Sequence, residues 1–182
     1  MHVDDVLRAL MKQGEDIENF NADLLETLER AKGIGRLFIM GNGGSSAIAS
    51  HAVCDLMKRA ATLPVICLSD NAPIVTAIAN DMSYDHVFSE QLKYHHLAED
   101  DVVLVISSSG NSPNVIRALD VAENVGAHRY AMVGFTGGKC KRPGVNLLHI
   151  KSDVYEVVED CHSIALHDLV REIMKREQEK SW

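Results

Sequence analysis

Residues 37–51 read LFIMGNGGSSAIASH. Four apolar residues, Leu37 to Met40, empty into Gly41-Asn42-Gly43-Gly44-Ser45, and the segment from His51 to Met57 resumes as a helix-like run carrying His51 and Asp55. A strand that ends in glycines and hydroxyls and continues as a helix is a β-to-α junction. In an open parallel sheet, ligands bind beyond the carboxyl ends of the strands, where helix N-termini offer unpaired N–H groups and a partial positive charge. The stretch therefore calls for a parallel α/β sheet around it and a ligand above it.

The flanking sequence supplies that sheet. Short β-like runs at Leu37–Met40, Val65–Leu68, Val102–Ile106, Tyr130–Val133 and Leu147–Ile150 alternate with helical stretches at 45–60, 72–80, 84–98, 113–125 and 156–178. This alternation predicts a three-layer, doubly wound, flavodoxin-like fold, α/β with a parallel five-stranded sheet. Ahead of it, Leu7, Leu10, Met11, Ile17, Phe20, Leu24, Leu25 and Leu28 recur at helical spacing, predicting a long N-terminal helix from Val3 to about Ala31. Its apolar stripe is long for a helix that precedes the sheet, and fits packing either on its own domain or on another subunit. No linker, repeat or low-complexity tract divides the chain. Residues 1–182 read as one domain, with 1–32 as an N-terminal helix and 33–182 as the α/β core. The tail KREQEKSW reads as a solvated end, and FTGGKCKRPGV at 135–145 is the one long glycine-rich, basic loop.

Composition removes several function classes. A net charge of -8 gives no general pull toward nucleic acid or an anionic membrane, so any phosphate must be held by local geometry. No apolar run is long enough to span a bilayer, and the acidic, amphipathic N-terminus is unlike a signal peptide, which points to the cytoplasm. Cys54, Cys67, Cys140 and Cys161 form no C-x-x-C pair and read as reduced thiols.

The first junction departs from the nucleotide motifs. The dinucleotide fingerprint would need glycine where Ser46 stands, and a P-loop would need G-K-S/T. A second junction has similar chemistry: the strand ending at Ile106 runs into Ser107-Ser108-Ser109-Gly110-Asn111-Ser112-Pro113, with Ser112 placed to N-cap the next helix and Pro113 in its first turn. Hydroxyls of Ser107, Ser109 and Ser112 with backbone N–H groups can surround a phosphate without lysine or arginine. Taken alone the serines are equally good turn formers; two such junctions in one chain favour phosphate.

His51 and Asp55, four residues apart, share one helix face, and Glu159, Ser163 and His167 follow at four-residue steps on the last helix, drifting about 80° in all. If the helices face each other, two imidazoles and two carboxylates converge in a set suited to zinc or another divalent metal. An exposed ion pair is the alternative reading of His51 and Asp55. The pairs His95-His96, and His128 and His149, read as surface or capping residues, and His162 points elsewhere on its helix. Asn80-Asp81 fits an ordinary helix end as well as a polar wall of the ligand cleft.

GNGGS-x5-H-x3-D, TAIAND, ISSSGNS-x-NV and the late E-D-C-H-x4-H together resemble the sugar isomerase (SIS) family, most closely the bacterial phosphoheptose isomerases. The resemblance spans nearly the whole chain. It implies conversion of sedoheptulose 7-phosphate to D-glycero-D-manno-heptose 7-phosphate, a step toward the heptose of lipopolysaccharide, by a zinc-containing homotetramer with intersubunit active sites. Carried over by position, Asn42, Gly43, Gly44, Ser45, Asn80 and Asp81 match substrate contacts, and Ser107, Ser108, Ser109 and Ser112 match the phosphate loop. His51, Asp55, Glu159 and His167 match the metal ligands, with Asp55 and Glu159 also facing substrate and Asp55 and His167 in the catalytic roles.

Two positions depart from the family, which usually has glutamate at 55 and glutamine at 159. Asp55 withdraws its carboxylate by about 1.5 Å, one carbon–carbon bond, a displacement large enough to cost about a hundredfold in rate. Glu159 adds a negative charge, which favours metal binding and weakens the metal's power to polarise a carbonyl. The changes either compensate one another or mark a different substrate. Two other functions stay open: isomerisation of another ketose phosphate, and a non-catalytic SIS protein of the replication-initiator-associating type.

Overall fold

A computed structural model describes residues 2–59 and 63–180, with the side chain of Lys180 left aside. It contains one parallel sheet of β1 (Leu37–Gly41), β2 (Val65–Cys67), β3 (Val102–Ser107), β4 (His128–Val133) and β5 (Asn146–His149), in the order β2-β1-β3-β4-β5. The helices are α1 (His2–Ala31), α2 (Gly44–Arg59), α3 (Ala72–Asp81), α4 (Val87–Tyr94), α5 (Pro113–Val125) and α6 (Tyr155–Lys180). Every helical and strand stretch expected above is present, with shifted ends. The predicted helix 84–98 is a 3-10 turn at Tyr84–His86 followed by the short α4, which ends in a turn with His96 at φ +51°. Residue 60, the expected end of the second helix, and the last two residues of the tail lie outside the described residues.

The strands alternate across the sheet because successive side chains point to opposite faces. Leu37, Ile39, Val102, Leu104, Ile106 and Met132 face the layer of α1, α2 and α6; Phe38, Met40, Val103, Val105, Ala131 and Val133 face that of α3, α4 and α5. Central β3 is buried along its whole length, as a strand covered on both faces must be. At the amino end of the sheet, Asp101, 1% exposed, accepts from the backbone N–H, Nε and Nη2 of Arg36 and from the Ala98 amide. A carboxylate so buried is tolerated because each oxygen is paired, and it ties the entries of β1 and β3 together.

α1 divides in two. Ile17, Phe20, Leu24, Leu25, Leu28 and Ala31 are buried on the sheet and α6, and Tyr130 on β4 donates its hydroxyl to the Asp23 carboxylate at 2.6 Å and meets the Thr27 hydroxyl at 2.8 Å. Its first turns keep Val3, Leu7 and Met11 on the surface at 60%, 53% and 87% exposure, four residues apart on one stripe.

Both ligand junctions open at the carboxyl end of adjacent strands. β1 pairs with β3 from Leu37↔Val102 to Gly41↔Ile106, so the chain order reverses between them, and this is the crevice where open α/β sheets bind ligands.

Candidate active site

The serine junctions meet in this crevice. Asn42 and Ser45 from the first, Ser107, Ser108, Ser109 and Ser112 from the second, and Tyr155 and Glu159 from the start of α6 enclose a cavity of about 140 Å³. Ser107 and Ser108 are 5% exposed, Ser107 Oγ lies 3.5 Å from Ser112 Oγ, and Ser109 Oγ accepts from the Asn111 amide. Ser112 occupies the N-cap position of α5 in extended backbone without a side-chain cap bond, leaving its hydroxyl to the cavity; Pro113 fills the first turn as expected. The Ser108 hydroxyl is buried and has no protein partner. Such a group costs about 1–3 kcal/mol, and a phosphate oxygen would satisfy it.

The serine loop is backed by the glycine-rich loop 135–145. Cys140 donates its amide to the Gly110 carbonyl, and Lys139 donates its amide to Asn111 Oδ1. Gly110 has φ +63°, and a Cβ there would lie 2.1 Å from the Gly137 carbonyl oxygen, so the two backbones touch in a way only glycine allows.

A second cluster lies farther down α2 and α6. His51, Asp55 and His167 each offer a ligand atom, all within 4.8 Å of one another. His51 Nε2 is 3.6 Å from Asp55 Oδ2, the His51 and His167 rings meet edge to face at 5.1 Å, and Arg59 Nε is 3.6 Å from Asp55 Oδ1. Ile48, Ala52, Leu166 and Val170 wall the cluster, while both histidines are exposed. The donor set of two imidazoles and one carboxylate fits a divalent metal. Asp55 reaches the cluster despite its shorter chain.

The structure does not bring Glu159 into that cluster. Eight residues before His167 on one helix, it stands about 12 Å up the axis and turns instead toward Gly44, where a Cβ would come within 2.4 Å of its carboxylate. The charge at 159 thus faces the serine cavity, and in this side-chain position it does not join Asp55 in the cluster. Burial, then Glu156 and Asp160, holds its carboxyl above the usual range. Gly43 and Gly44 are exposed where α2 begins. Asn80 and Asp81 end α3 exposed, bonded to each other, and line neither cavity nor cluster.

Three residues at the cavity were not legible as site residues. Tyr155 lines it while packed on Phe135, with ring centres 4.7 Å apart. Asn114 and Tyr84 bond the Asn42 side chain. The only hint was the asparagine in ISSSGNS-x-NV, which reads equally well as a helix-start residue.

Among the described residues all four cysteines are free; burial pushes Cys67, Cys140 and Cys161 up to about 11, keeping them as inert thiols. No described helix is long and apolar enough to cross a membrane.

The SIS domain model matches residues 2–134. The chain belongs to the SIS domain family. It is 42% identical over 137 residues to a probable phosphoheptose isomerase of Thermoplasma acidophilum, covering 72% of this chain and 74% of that one. It is 35% identical to the phosphoheptose isomerase of Citrifermentans bemidjiense, across 95% of this chain and 90% of the relative. The structure of phosphoheptose isomerase from Neisseria gonorrhoeae superposes with a TM-score of 0.87 at 28% identity, covering 94% and 95% of the two chains. This SIS protein thus shares its fold with the Neisseria enzyme and nearly its full length with the Neisseria and Citrifermentans enzymes.

Proposed function

We propose that this SIS protein is a phosphosugar isomerase that converts sedoheptulose 7-phosphate to D-glycero-D-manno-heptose 7-phosphate. The observation that carries the reading is that the serine loop after β3 and the first turns of α2 and α6 line one polar cavity, with a His-Asp-His cluster about two turns farther along α2 and α6. Aldose–ketose isomerisation moves a proton between adjacent carbons through an enediol, and needs an anchored substrate, a base, an acid for the oxygens and stabilisation of oxygen charge.

The chain's own groups divide those tasks. The serine loop and the N-termini of α2 and α5 anchor the phosphate; Asp55 removes and returns the carbon-bound proton; His167 serves the oxygens. Anchoring the phosphate holds the sugar's reacting end at the cluster, which lowers the entropic part of the barrier. His51, Asp55 and His167 would hold a divalent metal, which we take to be zinc, and that metal would polarise the carbonyl and hydroxyl oxygens. Asn80, Asp81 and Glu159 are kept as substrate contacts, with Glu159 a metal ligand only if its side chain swings down α6.

The exposure of His51 and His167 supports a site completed by another subunit, since an isomerase excludes water from its enediol. Ile164 on α6, three residues before His167 and 40% exposed, adds apolar surface beside the cluster for that contact. We therefore extend the proposal to a homotetramer of single-domain subunits in the cytoplasm, with α1 as the oligomerisation helix.

The test is turnover of sedoheptulose 7-phosphate by purified protein, after chelator treatment and after adding back zinc or manganese. Conversion that chelation abolishes and metal restores is the expected result. Absence of conversion under every metal condition overturns the heptose assignment.

A further inference from the structure

We propose that Asn114 is a positioning residue that sets which way the Asn42 side-chain amide faces the sugar phosphate, with Tyr84 as the outer brace. The inference rests on the phosphosugar reading of the cavity.

Asn42 ends the β1 junction and Asn114 stands in the first turn of α5, 72 residues later, on the other side of the crevice. Their amides pair reciprocally: Asn42 Nδ2 donates to Asn114 Oδ1 and Asn114 Nδ2 donates to Asn42 Oδ1, both at 2.9 Å. A reciprocal amide pair would keep two bonds if both side chains were turned over. A third contact removes that freedom. The Val115 backbone N–H donates to Asn114 Oδ1 at 3.0 Å, and of the two atoms of a carboxamide only the oxygen can accept. Asn114 must therefore show oxygen to Val115 and Asn42 Nδ2, and its nitrogen to Asn42 Oδ1.

Asn42 is then fixed in turn. Its oxygen accepts from Asn114 and from the Tyr84 hydroxyl at 2.9 Å, while its nitrogen uses one hydrogen on Asn114 and keeps one. Asn42 lines the cavity beside Ser107 and Ser112, so its amide is committed to offering the ligand a donor, the polarity a phosphate or sugar oxygen needs. Asn114 is 1% exposed and does not line the cavity, so its influence passes through Asn42. The pair also ties the GNGG turn to the serine loop across the crevice.

A double-mutant cycle tests this, read by kcat and KM for sedoheptulose 7-phosphate and by calorimetric Kd for inorganic phosphate. Asn42→Ala and Asn114→Ala should each lower kcat/KM by about tenfold or more, and the double variant should fall no further than Asn42→Ala alone. Asn114→Asp keeps the acceptor and the volume but sets oxygen against Asn42 Oδ1, so it should match the alanine variant, which covers the case where Asn114→Ala does not fold. Tyr84→Phe, which leaves the Asn114 bond in place, should cost a smaller factor. Defects that multiply in the double variant would show a structural role only and overturn the proposal, as would a fully active Asn114→Asp. If the parent protein lacks turnover but binds phosphate, the isomerase reading fails while the cycle is still decided on phosphate Kd; a parent that binds neither compound overturns both.

Discussion

His162 shows how one buried side chain couples this fold to pH. It is fully buried on α6, and its Nε2 lies 3.2 Å from the Val133 carbonyl. A carbonyl only accepts, so Nε2 carries the hydrogen and Nδ1 is a buried acceptor with no partner. Protonating Nδ1 would bury an unpaired cation, and burial accordingly lowers the imidazole from 6.5 to about 4. Between those values the unfolded chain binds more protons than the native one, so stability rises with pH across the window and is lost as pH falls from 6.5 toward 4. The loss is on the order of 3 kcal/mol. His162→Gln, which can donate to Val133 and does not titrate, should flatten this part of the pH dependence in denaturant unfolding at pH 4.5 and 7. A variant as acid-sensitive as the parent would refute the account.

At the scale of elements, the cavity depends on one loop seated on another. Gly110 in the serine loop abuts Gly137, Gly138 abuts the Ser109 carbonyl, and the Cys140 amide holds the pair in place. Gly110→Ala combines an unfavourable positive φ with a backbone clash, and the displaced backbone carries Ser109 and Ser112. A displacement near 1 Å at a positioning group costs about a hundredfold in rate. The variant should raise KM for the phosphosugar by about tenfold or more, while the metal content of the His51 cluster, by elemental analysis, stays that of the parent. Unchanged KM would mean that the loop 135–145 does not support the anion site.

For the whole molecule the question is what covers the surface that one copy leaves apolar. The C-terminal half of α1 is buried on its own sheet, whereas Val3, Leu7 and Met11 are exposed in line, and Met57 on α2 and Ile164 on α6 are exposed too. A second copy would cover these residues, and closed symmetry is the usual arrangement for identical subunits. Size-exclusion chromatography with light scattering should give a mass above the 20.0 kDa of one chain, and Leu7→Asp with Met11→Asp should shift it toward the monomer. A monomeric parent protein would contradict the intersubunit site.

Periodicity and turn chemistry act between residues close in the chain, and at that range the text was nearly complete. The strand-glycine-helix junction at 37–51, the serine turn after β3, and the alternation that demands a parallel sheet are all legible in the sequence. The boundaries moved where short-range rules compete, as at 84–98, where a tight turn and a short helix replace one longer helix. The meeting of distant groups follows from strand order and helix packing. His51, Asp55 and His167 gather because α2 and α6 pack side by side on one face of the sheet, and Glu159, on the same face of α6, is carried to the serine cavity by two turns of rise. Asn42 and Asn114 pair because β1 and β3 are neighbours at the point where the chain order reverses. Local sequence determined that there would be a crevice between two glycine- and serine-rich junctions; tertiary packing decided which side chains complete it, because that depends on contacts between residues that are remote in the chain.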